Sequence, residues 1–359
     1  MRNFNSRIGG TMRKTAVVLA ACAVTSAWAG QGVAYVSNQK GNILTIDLST
    51  FEPTGEIEIG GGSPRGLGIT GDGKLLAVAV REKGDLAIVD VERRQVTSRV
   101  PIGKNPEFVR VRGDRAFVTF EPASEGGPPP KPGSIEERDL AAKRKADGQE
   151  RARIAVVDLK RGRVERQIEG GMETEGIEFS RDGKRIMVTN EADDNITIHD
   201  LGTGKLLNTI DTRPYGHRPR GIKLSPSGQT LVVTIEHGNK LLVFDSDFNI
   251  VRAVPTGDFP YGVSFDRAGQ RILVATAKGK TLQVFDAQNL AVLAEHPIGD
   301  RCWHFTFAPD DRHVLLACGR SNEVLVLQDD GRLLKRIPDA LMPWGIVVYP
   351  KAFGSLDAP

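Results

Sequence analysis

The sequence is poor in cysteine and aromatic residues, and it has no long apolar stretch after its first 30 residues. Of its 359 residues, 3 are Cys and 6% are aromatic, whereas 26% are charged and 40% hydrophobic. No later stretch approaches the roughly 18 apolar residues that a membrane-spanning helix needs. With 40 Gly and 20 Pro, this composition excludes a disordered chain, a collagen and a multi-span membrane protein. It is typical of a soluble, turn-rich protein.

The common signatures of catalysis and cofactor attachment are also missing. There is no Gly-X-Ser-X-Gly nucleophile motif, no Walker loop and no dinucleotide fingerprint. CxxCH is absent, which excludes a covalently attached c-type haem, and no HxH, HxxxH or CxxC spacing supports a metal site. Lys and Arg form no stripe interleaved with aromatic residues, so we expect no nucleic-acid partner.

A basic start followed by a short apolar run marks the first 29 residues. Four basic residues within positions 2–14 precede an apolar run over residues 15–28, and Ala29 completes an Ala-Trp-Ala sequence. This pattern predicts a secretory leader over residues 1–29 and a mature chain over residues 30–359 that is released into the periplasm. A lipoprotein-type sequence ends at Cys22, so a lipid anchor there is the alternative. The formal charge of +3 is carried by the leader.

The dominant feature of the sequence is a repeat of about 42 residues. Seven apolar stretches of one pattern end at equivalent positions, which are Asp47, Asp90, Asp158, Asp200, Asp245, Asp286 and Gln328. Each repeat also contains four short runs with alternating apolar residues, separated by Gly, Asp and Pro turns, as in the strands of an all-β array. Four strands in a repeat of this length correspond to one propeller blade.

The two ends of the chain complement each other. The mature chain begins with a second-strand sequence at residues 34–38 and ends with a first-strand sequence at residues 344–350. Pairing of these strands would complete a seventh blade and remove two exposed sheet edges. We therefore predict an all-β protein, a seven-bladed β-propeller with four-stranded blades, as one domain over residues 30–359. We expect a monomer.

A single insertion interrupts the third repeat at about residues 122–151. It opens with a Gly- and Pro-rich stretch, and the sequence from Ser134 to Glu137 then reads as a capping box ahead of a charged segment. Because the insertion joins strands two and three, it would project from the loop-rich face of the ring. A solvated arm is the plain interpretation, and a lid or a docking arm for a redox partner is the functional one.

Several motifs resemble those of the YVTN family of β-propeller repeat proteins. They are AYVSN at residues 34–38, VTN at residues 188–190, the Asp-ended third strands, and the Asp-Gly-Lys turns at residues 72–74 and 182–184. The resemblance implies the fold and leaves the function open, since that family includes surface-layer proteins, lactonase-like enzymes and the haem-binding propeller of a nitrite reductase. The order of the Pro-X-Gly motifs is similar to that of a seven-repeat subgroup associated with alcohol catabolism dependent on pyrroloquinoline quinone (PQQ). This implies PQQ as the first cofactor to consider and haem as the second.

The Pro-X-Gly motif before each first strand places one residue per blade around one end of the channel. These residues are Arg65, Glu107, Glu175, Arg220, Tyr261, Trp303 and Trp344. The ends of the second strands add Arg81, Glu121, Glu191, Glu236 and Arg320 on the same face. Aromatic residues at the rim of a cavity present flat apolar faces, and Arg can bind carboxylates there. We interpret these positions as a ligand or partner site; the alternative is a set of Arg–Glu pairs that plugs the channel. The Pro and Gly themselves are explained by turn geometry and close backbone approach.

Two histidines belong to the same region. His304 occupies a position that is Gly in five of the seven motifs, with Phe108 as the other exception. It could be a general base, an axial ligand to a haem, or a packed core residue. His217 lies in a longer loop over residues 213–220 with three Arg, which would suit an anionic and aromatic molecule such as PQQ. The Glu residues of the ring argue the other way, because carboxylates repel an anion unless Arg neutralises them.

Two cysteines remain after removal of the leader. If residues 309–311 close a three-residue hairpin with Ala308 opposite Arg312, Cys302 and Cys318 face each other. In an oxidising compartment they would form a disulfide. A slip of one residue would instead separate them and leave two buried thiols.

Taken together, these features predict a periplasmic binding module rather than a turnover enzyme. It would bind a small anionic or aromatic molecule, or a periplasmic redox protein, at the channel mouth as an accessory to PQQ-dependent oxidation. One alternative is a lactonase-like hydrolase or a haem-binding oxidoreductase that uses His304 and the ring carboxylates. Another is a pure protein-interaction scaffold. The fold alone does not separate these functions.

Overall fold

The computed structural model describes residues 32–121, 134–146 and 151–357, and strands account for most of them. The first nine strands are β1 (Val33–Asn38), β2 (Ile43–Asp47), β3 (Glu52–Ile57), β4 (Pro64–Ile69), β5 (Leu75–Val80), β6 (Asp85–Asp90), β7 (Gln95–Pro101), β8 (Val109–Arg112) and β9 (Arg115–Phe120). After helix α1 (Ile135–Ala146) follow β10 (Arg153–Asp158), β11 (Arg163–Glu169), β12 (Thr174–Phe179), β13 (Arg185–Asn190), β14 (Asn195–Asp200), β15 (Leu206–Asp211), β16 (Pro219–Leu224), β17 (Leu231–Ile235), β18 (Lys240–Phe244) and β19 (Ile250–Pro255). The last nine are β20 (Pro260–Phe265), β21 (Arg271–Thr276), β22 (Thr281–Asp286), β23 (Val292–Pro297), β24 (Cys302–Phe307), β25 (His313–Cys318), β26 (Glu323–Gln328), β27 (Leu333–Ile337) and β28 (Pro343–Tyr349). The predicted leader, with Cys22, lies outside the described residues.

The strands form seven antiparallel sheets of four strands each. Six sheets use consecutive strands and are blades 1 to 6, from β4–β7 to β24–β27, whereas blade 7 has the order β28-β1-β2-β3. In blade 7, Tyr35 pairs with Val347, so the last strand joins the N-terminal strand and closes the ring. The predicted seven-bladed propeller and its closure are therefore confirmed. The innermost strands, which are β4, β8, β12, β16, β20, β24 and β28, contact one another in turn and surround a central channel.

The position of a strand within its blade decides its composition. Within each blade, the strands other than the outermost one are covered on both faces by the two neighbouring blades. They therefore consist largely of apolar residues, as in β5. The outermost strands face solvent; β3 and β15 are exposed along nearly their whole length. The hydrophobic core therefore lies between the blades rather than at one centre.

The repeated aspartate has a local structural role. It ends the third strand of a blade, and its side chain accepts hydrogen bonds from the following turn. Asp158 Oδ1 accepts from the N–H groups of Lys160 and Arg161, both at 2.9 Å. The hydrogen bond from Arg161 is the main cause that lowers the pKa of Asp158.

The glycine of the Pro-X-Gly motif allows the blades to approach each other closely. A Cβ at Gly66 would lie 2.2 Å from the carbonyl oxygen of Glu107 in the next blade, and one at Gly221 would lie 2.3 Å from that of Tyr261. Any side chain at these positions would collide with the neighbouring backbone, so glycine is required there.

The two cysteines lie opposite each other in blade 6, but the hairpin around them differs from the prediction. Their sulfur atoms are 1.97 Å apart, and Cys302 pairs with Cys318. However, the N–H of Ala308 donates to the carbonyl of His313, so Ala308 does not lie opposite Arg312. A β-bulge between Cys302 and His304 absorbs the extra residue and restores the cysteine pairing. The predicted hairpin register was therefore wrong, whereas the predicted cysteine pair is the observed one.

The described part of the insertion is helix α1, between β9 and β10 of blade 2. It begins directly after Ser134, where the capping pattern predicts a helix start. Residues 122–133 and 147–150 lie outside the described part, and a lid or docking role stays a prediction. Among residues 32–121, 134–146 and 151–357, no helix is long and apolar enough to cross a bilayer.

Candidate functional site

The innermost strands all begin at one end of the channel, which we call the mouth, and ten charged side chains meet there. We define the mouth cluster as Arg65, Arg81, Glu107, Glu121, Glu175, Glu191, Arg218, Arg220, Glu236 and Arg301. Arg65 pairs with Glu107 from the next blade, and Arg81 donates to Asn105 at 2.6 Å. Most of the ring positions predicted from Pro-X-Gly therefore come together, and Arg–Glu pairing is their main contact.

Arg220 is the centre of the mouth cluster. Its Nε lies 2.6 Å from Glu236 Oε2, and its Nη1 forms ion pairs with Glu175 and Glu191. Burial disfavours the charge of Arg220, but Glu236, Tyr261 and Glu175 outweigh burial and raise its pKa. One guanidinium thus holds three carboxylates, in the fork geometry that only Arg provides.

The carboxylates of the cluster differ in their affinity for protons. Burial, reinforced by the negative charge of Glu107, raises the pKa of Glu175 to about 7. The same two causes raise the pKa of Glu121 to about 7, although Asn105 donates a hydrogen bond to it at 2.9 Å. Burial also disfavours the charge of Glu236, but Arg220 and Arg218 outweigh it and lower the pKa of that carboxyl. The mouth therefore contains two carboxyls that exchange protons near neutral pH beside one that stays ionised.

A second ring of residues at the mouth escaped the sequence analysis. The residue before the Pro position of each motif has a left-handed backbone, with φ between 50° and 66°. These residues are Ser63, Asn105, Glu173, Arg218, Phe259, Arg301 and Met342. Six of these carbonyls accept a backbone hydrogen bond; Glu236 N–H donates to Arg218 at 3.0 Å, and Gly319 N–H to Arg301 at 3.0 Å. In the turn at Asn105, Glu121 N–H donates to the carbonyl of Lys104 instead. Strained backbone of this kind clusters at functional sites. In the sequence, these residues can be found at the position directly before Pro in the same seven motifs.

This second ring adds two arginines beside Glu236. Arg218 Nε lies 3.7 Å from Glu236 Oε2, and Arg301 Nη1 lies 3.8 Å from Glu236 Oε1. The buried Nε groups of Arg218 and Arg301 have no hydrogen-bond partner among the described residues. With 27% of its side chain exposed, against 8% for Arg220, Arg301 is the more accessible guanidinium. The two Nε groups are covered by protein, so the exposed part of the Arg301 guanidinium is the donor that a ligand can reach.

Aromatic rings close the channel beneath the charges. The ring of His304 packs against Trp344, Tyr261 and Phe108, at centroid distances of 4.4, 5.4 and 5.9 Å. His304 and Phe108 replace the glycine of their motifs, and their rings contact each other edge to face. Burial and the charge of Arg220 lower the pKa of His304 to about 3, so it is a neutral, packed residue at physiological pH.

The remaining predicted residues lie at the edge of this arrangement. His217 Nδ1 is 2.7 Å from Asp194 Oδ2, and half of its side chain faces solvent. Trp303 is buried, and the guanidinium of Arg301 lies 5.9 Å from its ring. Arg320 is exposed in the turn after β25 and is not part of the mouth cluster. Gly319 and not Arg320 is the equivalent of Glu236, because the N–H of Gly319 donates to Arg301 as that of Glu236 donates to Arg218; Arg320 therefore lies one residue beyond the predicted position. No group of three or more metal-binding side chains occurs in the described parts of the chain.

Comparisons with known proteins support the seven-bladed fold. Residues 153–250 match the family model "Lactonase, 7-bladed beta-propeller". A proposed 6-phosphogluconolactonase from Bacteroides uniformis ATCC 8492 is 17% identical, with a TM-score of 0.69, over 89% of this chain and 99% of that one. The periplasmic gluconolactonase PpgL of Pseudomonas aeruginosa is 15% identical, with a TM-score of 0.69, over 88% and 98%. Hydrazine synthase of Kuenenia stuttgartiensis is 16% identical, with a TM-score of 0.67, over 87% and 99%. None of the curated proteins matches the chain. At these identities, the likeness to solved structures establishes a shared fold.

Proposed function

We propose that this protein hydrolyses a small lactone at the channel mouth. The observation that carries the proposal is the group of Glu175, Glu191 and Glu236 around Arg220. A carboxylate with a pKa near the working pH is suited to general-base catalysis, and guanidinium groups can stabilise an oxyanion. The lactonase model supports the proposal further, because its match over residues 153–250 contains this whole group.

The chemistry follows from these groups. The Glu175 carboxylate accepts a proton from a water molecule, and the water oxygen attacks the carbonyl carbon of the lactone. Negative charge then develops on the carbonyl oxygen, where the partly exposed guanidinium of Arg301 can donate a hydrogen bond to it. The ring C–O bond breaks, and the proton on Glu175 passes to the departing ring oxygen. The product is a hydroxy acid, and Glu236 stays ionised between the arginines throughout.

The charge balance of the mouth favours an uncharged lactone. Arg220 is already paired with three carboxylates, so an anionic ligand would have to displace one of them. PQQ carries three carboxylates of its own, and the residues present do not fit it for this reason. The accessory role in PQQ-dependent oxidation thus has only the resemblance to the YVTN subgroup in its support.

A binding module without turnover is the second candidate. Tyr261 and Trp303 lie under the guanidinium groups of Arg220 and Arg301, at 4.8 and 5.9 Å, and such stacked faces favour a flat ligand. For either function we propose secretion to the periplasm after removal of residues 1–29, with residues 30–359 as one domain. The periplasmic gluconolactonase of the same fold supports that location.

The test is hydrolysis of unphosphorylated γ- and δ-lactones of sugar acids, followed in a pH-stat. We expect wild type to exceed the spontaneous rate and Arg301→Gln to lower kcat/KM by about 100-fold, since it removes an oxyanion donor. Arg332→Gln is the matched control, because Arg332 is exposed and pairs with Asp330 away from the mouth. A rate equal to the spontaneous one in wild type contradicts the proposal. Calorimetric heat of PQQ binding, or a quinone or haem absorbance band, would support the binding module instead.

A further inference from the structure

The end of the channel opposite the mouth, which we call the floor, is filled by the last described residues of the chain. After β28 reaches the floor, residues 351–357 turn back into the channel. The N–H of Phe307 donates to the carbonyl of Phe353 at 2.7 Å, and the N–H of Ser355 donates to the carbonyl of Phe305 at 2.9 Å. Lys223 Nζ donates to the carbonyl of Asp357 at 2.6 Å. Because these partners lie on β24 and β16, two blades apart, the segment bridges the channel.

The innermost strands leave space for this segment. Leu356 is fully buried in the same apolar cluster as Tyr261 and Trp344. A Cβ at Gly345 would lie 2.8 Å from Leu356 Cδ1, and a Cβ at Gly262 would lie 3.3 Å from Ser355 Cβ. The glycines of blades 5 and 7 therefore serve a second purpose, since larger residues there would exclude the segment.

A group of buried charges holds the end of the segment, and we call it the floor cluster. It consists of Arg110, Glu178, Lys223, Lys351 and Asp357. Arg110 Nη2 lies 2.6 Å from Glu178 Oε2, Lys223 Nζ lies 3.9 Å from the same oxygen, and Lys351 Nζ lies 2.9 Å from Asp357 Oδ1. Lys223 is completely buried. The segment therefore contributes to the burial of the Lys223 ammonium group, together with the neighbouring blade.

The segment also reaches the aromatic layer. Ser355 Oγ accepts a hydrogen bond from the N–H of Phe305 at 2.9 Å and lies 3.2 Å from Nδ1 of His304. This contact holds the imidazole from below, while the rings of Tyr261 and Trp344 pack against it. A continuous set of contacts therefore joins the floor to the residues directly beneath the mouth cluster.

We propose that the lower half of the channel is a peptide-binding site that the chain fills with its own residues 351–357. This segment is an internal plug: it makes the channel a blind pocket that is open only at the mouth, and it positions His304. The inference concerns the floor and does not depend on lactone hydrolysis at the mouth.

Chemical labelling of Lys223 in the full-length protein tests the plug. An amine-reactive ester should modify the exposed Lys205 and Lys278 rapidly and leave Lys223 unmodified. Leu356→Asp should raise labelling of Lys223 at least tenfold, since losing the burial of one leucine exceeds the free energy that corresponds to about a factor of ten. The matched control is Leu334→Asp, the same change on the exposed strand β27, where Leu334 is 48% exposed. It should leave Lys223 protected.

Hydrogen exchange in wild type provides a second measurement that needs no variant. The amides of Phe305 and Phe307 donate to the plug, so we expect them to exchange as slowly as the other amides of β24. If the plug is right but Leu356→Asp does not fold, Ser355→Ala should still speed exchange at Phe305. The proposal is overturned if Lys223 of wild type reacts as fast as Lys205, or if the two amides exchange rapidly while the rest of β24 is protected.

Discussion

The mouth cluster and the floor cluster share three innermost strands, β8, β12 and β16, and each cluster has a charged residue on or just before each of these strands. The paired positions are Glu107 and Arg110 at β8, Glu175 and Glu178 on β12, and Arg220 and Lys223 on β16. At the mouth, three carboxylates share Arg220, and the pKa of Glu175 rises to about 7. At the floor, burial is outweighed by Arg110 and Lys223, and the pKa of Glu178 falls. The carboxyl group of a glutamate is therefore reactive at position 175 and purely structural at position 178, because different numbers of hydrogen-bond donors surround it.

The largest effect on stability should come from removing the central guanidinium of each cluster. Arg220→Met leaves Glu175, Glu191 and Glu236 with too few cations, and we expect a loss of about 3–5 kcal/mol. Arg110→Met leaves Glu178 with Lys223 and with the N–H groups of Phe179 and Leu224, so the loss should be about 1–3 kcal/mol. Urea unfolding of both variants measures the difference. Equal losses, or a larger loss at the floor, would contradict this comparison.

The disulfide should stabilise the fold by about 3 kcal/mol, because it closes a loop of 16 residues. Cys302 lies at the mouth end of β24, whereas Phe305 and Phe307 contact the plug near the floor. Cys318→Ser should therefore lower the free energy of unfolding and speed exchange of the amides near Cys302 more than at Phe307. Thiol titration of the denatured, unreduced chain without residues 1–29 should find no free thiol. Detection of two reactive thiols per chain would contradict the disulfide.

The two clusters should change stability with pH in opposite directions. Folding raises the pKa of Glu175 from its usual 4.5 to about 7, so its stabilising contribution is complete below pH 4.5 and is lost as pH rises towards 7. At the floor, burial and the charge of Arg110 lower the pKa of Lys223 from 10.5 to about 7. Its contribution is therefore complete above pH 10.5 and is lost as pH falls towards 7.

Urea unfolding between pH 5 and 10 separates these contributions. Glu175→Gln should flatten the slope below pH 7, where Glu107 and Arg220 face the carboxyl. Lys223→Met should flatten the slope above pH 7, where Arg110, Glu178 and Asp357 face the amine. A flattening in the opposite pH range for either variant would show that the clusters have been assigned the wrong protonation behaviour.

The smallest effect should come from the hydroxyl of Tyr261. It lies 3.5 Å from Glu175 Oε2, which is at the limit of a hydrogen bond. Tyr261→Phe should lower stability by less than about 1 kcal/mol, since the ring still packs against His304. A loss as large as that of Arg220→Met would mean that Tyr261, and not Arg220, organises the mouth.

Much of the fold is visible in the sequence, because each blade repeats the same local pattern. The Asp-ended strands, the Pro-X-Gly motifs and the complementary chain ends predict seven closed blades without any long-range information. The site is less predictable, since pairing depends on which side chains meet across the channel. Arg301 was missed because only the X position of each Pro-X-Gly motif was considered and not the position before Pro, and the plug because residues 351–357 follow no repeat. The hairpin register was wrong by one residue because the loop has four residues, 309–312, and not three; the bulge, which an alternating pattern does not reveal, then restores the cysteine pair.

The most direct test of the account compares Glu175→Gln with Glu178→Gln, the same substitution three residues apart on β12. In wild type, kcat/KM for lactone hydrolysis should rise with pH through an apparent pKa of about 7. Glu175→Gln should remove this rise and lower kcat/KM by about 10²–10⁴-fold, while Glu178→Gln should lower stability and keep the pH profile of wild type. A wild-type profile in Glu175→Gln, or the same loss of activity in both variants, would contradict the claim that the mouth performs the chemistry and the floor only holds the structure.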